Sequence, residues 1–244
     1  MQIKRLIRSL LNHWPLSMAL PVLLRARAMH YKKYNVGKGA FIASSAHVIG
    51  WPQVRVGNYS CLGEDVFINI NHREQGKIGL IIGDNCFIGK SNFFTTGRLI
   101  RLGDYCITAP DCKFLGAFHE YGNPFMPYVI SPCPDQHSIE IGTNCFIGAG
   151  ATIMHQVKIG FGSVIGAGAV VSKDIPPMSL VVGSSGEVKK RFSIKKNAWV
   201  KLEEYSTEDE AMLPSEEGYL SALKVKYPVI KLPFIACSRE CGDL

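Results

Sequence analysis

The chain has 244 residues, 47% of them hydrophobic and 19% charged, with a formal net charge of +7. This balance suits a globular chain with a core of its own and excludes a disordered or low-complexity one. No apolar run reaches the roughly 20 residues of a spanning helix, and positive charge alone does not choose among an anionic cofactor, a nucleic acid and an acidic membrane surface.

Residues 1–14, "MQIKRLIRSLLNHW", put Ile3, Leu6, Ile7, Leu10, Leu11 and Trp14 on one helical stripe, with Lys4, Arg5 and Arg8 opposite and Pro15 ending the segment. Such a helix is expected to cap the open end of a solenoid. The alternative is an interfacial helix in peripheral contact with a membrane. Residues 16–24, "LSMALPVLL", have the outline of a signal peptide, but they contain a proline and run into "RARAMH", which argues against it.

From Val36 an aliphatic residue recurs every six positions. The beat runs Val36, Ile42, Val48; Val56, Leu62, Ile68; Ile82, Ile88, Phe94; Leu102, Thr108, Phe114; Ile141, Ile147, Ile153; Ile159, Ile165, Val171. Extra residues fall at 54–55, 74–81, 100–101 and 120–140, always after a multiple of three hexads. A second regularity agrees. Position two is Gly or Ala in the first two hexads of each triplet, as in Gly57, Gly63, Gly83 and Gly89, and never in the third, as in Asn69 and Thr95. Three hexads therefore make one coil, and six coils stack into a triangular solenoid of short parallel strands, an all-β fold with aliphatic residues inside. The glycines are expected to serve its tight corners through their backbone freedom. Of eight cysteines, Cys86, Cys106, Cys112 and Cys145 take the small fifth position, where they should behave as buried hydrophobes and stay reduced.

The longest insertion follows His119, the last residue of the fourth coil. A rigid wall beside a long loop is a common setting for catalytic groups, and an exposed corner histidine without a role is equally compatible with the spacing. Among fifth positions of first and second hexads, Asn92 alone is larger and amide-bearing. It could meet a substrate, or be satisfied by neighbouring backbone.

Beyond the repeat, "IKKNAWVKLEEY" (194–205) and "SEEGYLSALKVKY" (215–227) read as two short helices around an acidic linker, followed by a tail that carries Cys237 and Cys241. The expected domains are an N-terminal helical cap (1–35), the β-helix (36–192) and a C-terminal helical extension (193–244).

The hexad [LIV]-G-x-x-small-x resembles the hexapeptide-repeat acyltransferases, and "IGAGATIMHQVKIGFGSVIGAGAVVSKDIPP" is similar to the closing coils of maltose, galactoside and polysaccharide O-acetyltransferases. The resemblance implies a left-handed parallel β-helix, a homotrimer and acetyl-CoA as co-substrate, with no metal. It implies a small-molecule or lipid-linked saccharide acceptor, with surface-polysaccharide assembly as the setting, a cytoplasmic or peripheral inner-membrane location, and no nucleic-acid partner. His119 matches the family's general base, which would take a proton from a sugar hydroxyl as that oxygen attacks a thioester. Asn92, Glu120 and Asp135 become candidates for the acceptor, and Glu120, Asp135 and Glu140 for the carboxylate that orients His119. Ala149, Ala167, Ser172, Lys173 and Lys190 match donor-contact positions. Departures stand at Glu187, Phe146 and His155-Gln156. Serine, sugar-nucleotide or xenobiotic acetylation are alternatives within the fold. A non-catalytic scaffold and a gamma-carbonic-anhydrase-like zinc protein using His119, His137 and His155 are alternatives of another class.

Overall fold

The structure is a computed structural model and describes residues 34–230. The chain divides into two compact units between Val36 and Gly37. Of the first, the described part is Tyr34 and the strand Asn35–Val36. The expected helix over 1–14 and the tail with Cys237 and Cys241 lie outside the described residues. All that follows concerns the second unit.

The six-residue beat becomes strands of two to four residues on three parallel sheets. The first holds Val54–Val56, Leu80–Ile82, Leu99–Leu102, Ser138–Ile141 and Val157–Ile159. The second runs through Phe41–Ile42, Cys61–Leu62, Phe87–Ile88, Ile107–Thr108, Phe146–Ile147 and Val164–Ile165. The third runs from His47–Ile49 to Val170–Val171. The register is the one the repeat dictates: Thr108 pairs with Ile88 and Ile147, and Phe114 with Phe94 and Ile153. Equivalent side chains therefore stack. Phe94 and Phe114 lie ring on ring inside, with centroids 4.4 Å apart. Residues 54–55 and 100–101, counted as insertions from the hexad phase, are strand. The strands of the first sheet begin ahead of the beat residue, so these extra residues lie within them.

The glycines work differently from expectation. Positive φ falls at the fourth position of the hexad, at Tyr59, Asp65, Asn85, Ser91, Tyr105, Asp111 and Asn144. The second-position glycines are needed for close approach instead. A Cβ on Gly57 would lie 2.3 Å from the Gly83 carbonyl oxygen, and one on Gly103 would lie 2.7 Å from the Thr143 amide. The fifth-position residues complete each corner. Ser60 Oγ, Cys86 Sγ, Cys106 Sγ and Cys145 Sγ donate to the Gly83, Gly103, Gly142 and Gly160 carbonyls of the next coil. The cysteines are buried and free, as expected. Burial pushes the Cys112 thiol up to about 11, far from the reactive thiolate.

After the sixth coil the second sheet continues. Ser179–Val182 adds in parallel, then Glu187–Ser193 and Ala198–Lys201 add as antiparallel strands. The helix expected over 194–205 is thus replaced by the strand Ala198–Lys201 and one 3-10 turn, Leu202–Glu204. Trp199 and Val200 are half-buried and buried there: pairing with the exposed edge of Glu187–Ser193 satisfies backbone that an isolated amphipathic turn would leave to water.

Two helices follow, α1 (Thr207–Ala211) and α2 (Glu216–Lys226). Asp209 in α1 accepts from Ser193 Oγ and from the Ser206 backbone and hydroxyl, which hold its carboxyl down at about 2. The helix α2 docks along the corner between the first and second sheets. There, Asp84 Oδ1 accepts from the Asn58 amide at 2.7 Å and Asp104 Oδ1 from the Asp84 amide at 2.9 Å. The next rung, the Thr143 amide, is taken at 2.6 Å by Glu216 of α2. Lys224 pairs with Asp104 at 2.9 Å. Among the described residues no helix is long and apolar enough to cross a membrane.

Gly103→Ala is expected to destabilise by about 1–3 kcal/mol through overpacking against the Thr143 backbone, read as a lowered denaturation midpoint. Gly122→Ala, whose Cβ meets nothing within 4 Å, should stay within about 0.5 kcal/mol of the parent. Equal effects would remove the close-approach explanation.

Candidate active site

The corner between the third and first sheets is free of the second-position glycine, and the long insertions leave from it. The longest joins Lys113–Leu115 to Ser138–Ile141. Its two limbs are pinned together: the Glu120 amide donates to the Pro132 carbonyl at 2.8 Å, and His119 Nδ1 lies 3.0 Å from the Ser131 carbonyl oxygen. Ser131 is itself buried, its hydroxyl on the Tyr128 carbonyl at 2.9 Å. Between the pinned limbs the loop holds Tyr121, Phe125, Val129 and Ile130 out to solvent.

A carbonyl oxygen can only accept. Nδ1 of a neutral His119 must therefore carry the proton, and Nε2 is left with its lone pair on an exposed ring. That is the tautomer a general base needs. None of the expected carboxylates orients it. Glu120 is exposed, Asp135 faces Lys77 at 4.0 Å, and Glu140 sits in the first sheet opposite Arg101 and Lys158. The orienting group is a main-chain carbonyl, which leaves no signal in side-chain identities.

Behind His119 the Phe118 ring packs on His155 at 4.4 Å and on His137 at 4.9 Å, and the two imidazoles lie 5.1 Å apart. Both Nδ1 atoms are buried without a partner. Burial, and secondarily the neighbouring His137, lowers the pKa of His155. The sequence pointed to these rings only as zinc ligands. They form a ring cluster with Phe118 instead, and among the described residues no group of three or more His, Cys, Asp or Glu is gathered to hold a metal.

Asn92 requires a correction. It is 0% exposed, and its amide donates to the Gly89, Lys90 and Ala109 carbonyls. It locks the corner between the second and third sheets from inside, on a different edge from His119, and offers no surface to an acceptor. The donor candidates divide. Ala149 and Ala167 are exposed and stack at that same second-to-third corner, with the Gly168 amide on the Ala149 carbonyl at 2.8 Å. Ser172 and Lys173 leave the third sheet on the His119 edge, and Lys190 stands exposed in the second sheet opposite Leu180 and Lys201.

Residues 138–173 match the family described as bacterial transferase hexapeptide (six repeats), and residues 79–107 match the hexapeptide repeat of succinyl-transferase. No curated protein matches the sequence. Among solved structures the chain is similar to AntD, an N-acyltransferase from Bacillus cereus. In complex with dTDP and 3-hydroxybutyryl-CoA, AntD aligns at a TM-score of 0.57 and 15% identity over 82% of this chain and 96% of that one. A variant of AntD with dTDP-4-amino-4,6-dideoxyglucose and coenzyme A aligns at 0.57 and 16% identity over 81% and 96%. The shared fold is the left-handed parallel β-helix.

Because the folded His155 takes up its proton at lower pH than the unfolded ring, the unfolded state binds more protons once pH falls below about 6.5. Stability should therefore decline as pH drops through that value and further until the folded ring protonates, with no contribution above about pH 8. Denaturation midpoints across this range should fall less steeply in His155→Gln. Parallel curves would mean that the folded ring does not titrate differently from the unfolded one.

Proposed function

We propose that this left-handed β-helix, which matches hexapeptide-repeat families over residues 79–107 and 138–173, transfers an acyl group from acyl-coenzyme A to a saccharide. The observation that carries the reading is the His119 ring, fixed by the Ser131 carbonyl with Nε2 free. Nε2 takes the proton of the acceptor hydroxyl as its oxygen bonds to the thioester carbonyl carbon. The tetrahedral oxyanion collapses, the carbon–sulfur bond breaks, and the coenzyme A sulfur leaves with the proton returned by His119. Acetyl-CoA as donor, O-acetylation of a surface-polysaccharide hydroxyl as product and the cytoplasmic face as location are the finer parts of the proposal. A second reading is N-acylation of an amino sugar; the likeness in fold to an N-acyltransferase bound to an amino-sugar nucleotide favours it.

The working unit is a homotrimer. His119 and Lys173 stand on one edge of the prism, and Ala149 and Ala167 on another. A donor lying along the alanine edge meets His119 only when a second copy brings its own edge alongside. In this arrangement Lys173 and Lys190 offer cations to the coenzyme A phosphates.

Thiol release from acetyl-CoA across a panel of hydroxyl and amino saccharides tests the reaction. His119→Asn should lose about 10²–10⁴-fold in turnover while keeping its oligomeric state and denaturation midpoint. Near-normal turnover would return His119 to a surface corner residue.

The shared site has its own test. His119→Asn and Ala167→Trp chains, each impaired alone, should regain activity when co-assembled, since one junction in the mixed trimer then carries an intact His119 beside an intact alanine edge. Absence of complementation, or an active monomer by light scattering, would place the whole site within one copy.

A further inference from the structure

On the His119 edge, earlier along the stack, lies a cavity of about 490 Å³ lined by His72, Lys77, Arg98, Asp135 and Gln136, with Gly79 and its neighbours as floor. Its volume is that of an ordinary ligand pocket. Three separate segments build it: the insertion after the second coil, the corner after the third, and the returning limb of the long loop. Backbone bonds fix that meeting, with the Arg98 amide on the His137 carbonyl at 2.8 Å and the Ile100 amide on the Gly79 carbonyl at 2.9 Å.

The polar groups here are incompletely used. His72 Nε2 is buried without a partner. Arg98 is exposed and makes no ion pair or side-chain hydrogen bond among the described residues. Lys77 pairs with Glu74 at 2.8 Å and with Asp135 only at 4.0 Å, on side chains that are mostly exposed. Exposed pairs of this kind are weak and readily exchanged. Two cations beside an imidazole on the wall of one cavity match the oxygens of a phosphate or diphosphate.

Resting on the acyl-transfer reading, we infer that this cavity holds the phosphate or diphosphate of the acceptor, so that the substrate is a phosphate-linked saccharide rather than a free sugar. Position separates it from the donor. The cavity is built after coils two to four, whereas Ser172 and Lys173 leave coil six, about 10 to 19 Å further along at about 4.8 Å per coil. His119 lies between them. Ser131, which holds His119, and Gln136, which lines the cavity, are five residues apart on one limb and so no more than about 18 Å from each other. Asp135 and Gln136 then offer acceptors and a donor to sugar hydroxyls between the phosphate and the base.

Calorimetric titration of the full chain needs no acyl transfer. Inorganic pyrophosphate, dTDP, farnesyl diphosphate and coenzyme A are the probes, each alone. Pyrophosphate and at least one of its two esters should bind, dTDP the tighter if the sugar is nucleotide-linked and farnesyl diphosphate if it is lipid-linked. Arg98→Ala and Lys77→Ala should each weaken that binding about 10- to 100-fold, Arg98→Lys by less, with coenzyme A binding and denaturation midpoint unchanged. No diphosphate binding, or equal affinities in wild type and both alanine variants, overturns the inference. A parallel loss of coenzyme A affinity overturns it too and gives the cavity to the donor. Diphosphate binding without thiol release from any acceptor would sink the acyl-transfer reading but leave a diphosphate site. Thiol release with neutral saccharides, unaffected by Arg98→Ala, would do the reverse.

Discussion

The spacing of stacked coils governs this molecule. Parallel strands bonded through their backbones sit about 4.8 Å apart, and at the first corner that leaves no room for a Cβ between one turn and the next. Gly57, Gly83 and Gly103 meet the following coil's backbone at distances no β-carbon tolerates. The same spacing lets Ser60 and three cysteines each reach a carbonyl one coil on. It also lets Asp84 and Asp104 each take an amide one coil back. Insertions cannot leave from corners so tightly shared. They leave from the third, which is why His119, His155, His72 and Arg98 all stand on one edge.

Much of this was legible in the residues because the fold is periodic. A six-residue beat with a threefold modulation fixes strand, register and corner together, and the buried cysteines follow from their place in it. Glycine's reason was misread, since a sequence shows that a side chain is absent but not whether space or φ demands it. The strand Ala198–Lys201 was misread for lack of periodicity: seven residues of Glu187–Ser193 expose an edge, and edge pairing overrides a local helical pattern. Asn92 was noticed for its size, but size and polarity cannot tell an amide turned inward to three carbonyls from one turned outward to a substrate.

The candidate site was half visible. His119 announced itself by its place at the break in the beat, but its orienting group is the Ser131 main chain, which any residue could supply. A carbonyl differs physically from the expected carboxylate. It fixes the tautomer without placing a full negative charge beside the ring. Phe118, next in the chain to His119, packs against the His137 and His155 rings. The cavity at His72 and Arg98 could not be found from spacing, because its walls come from three insertions of unrelated length.

The segment from α2 to Ile230 acts as a ruler. Glu216 finishes a ladder that the prism begins with Asp84 and Asp104, and Lys224 and Tyr227 then read the coil before it, through Asp104 and the Tyr105 hydroxyl. Ile230 reaches back one coil further, to Asn85. Each of these contacts names a particular rung. A prism lengthened by one coil of eighteen residues after Thr143 would leave the last amide of the ladder bare and set α2 one rung out of step. The number of coils is therefore specified twice, once by how many repeats the chain encodes and once by where its end can fasten.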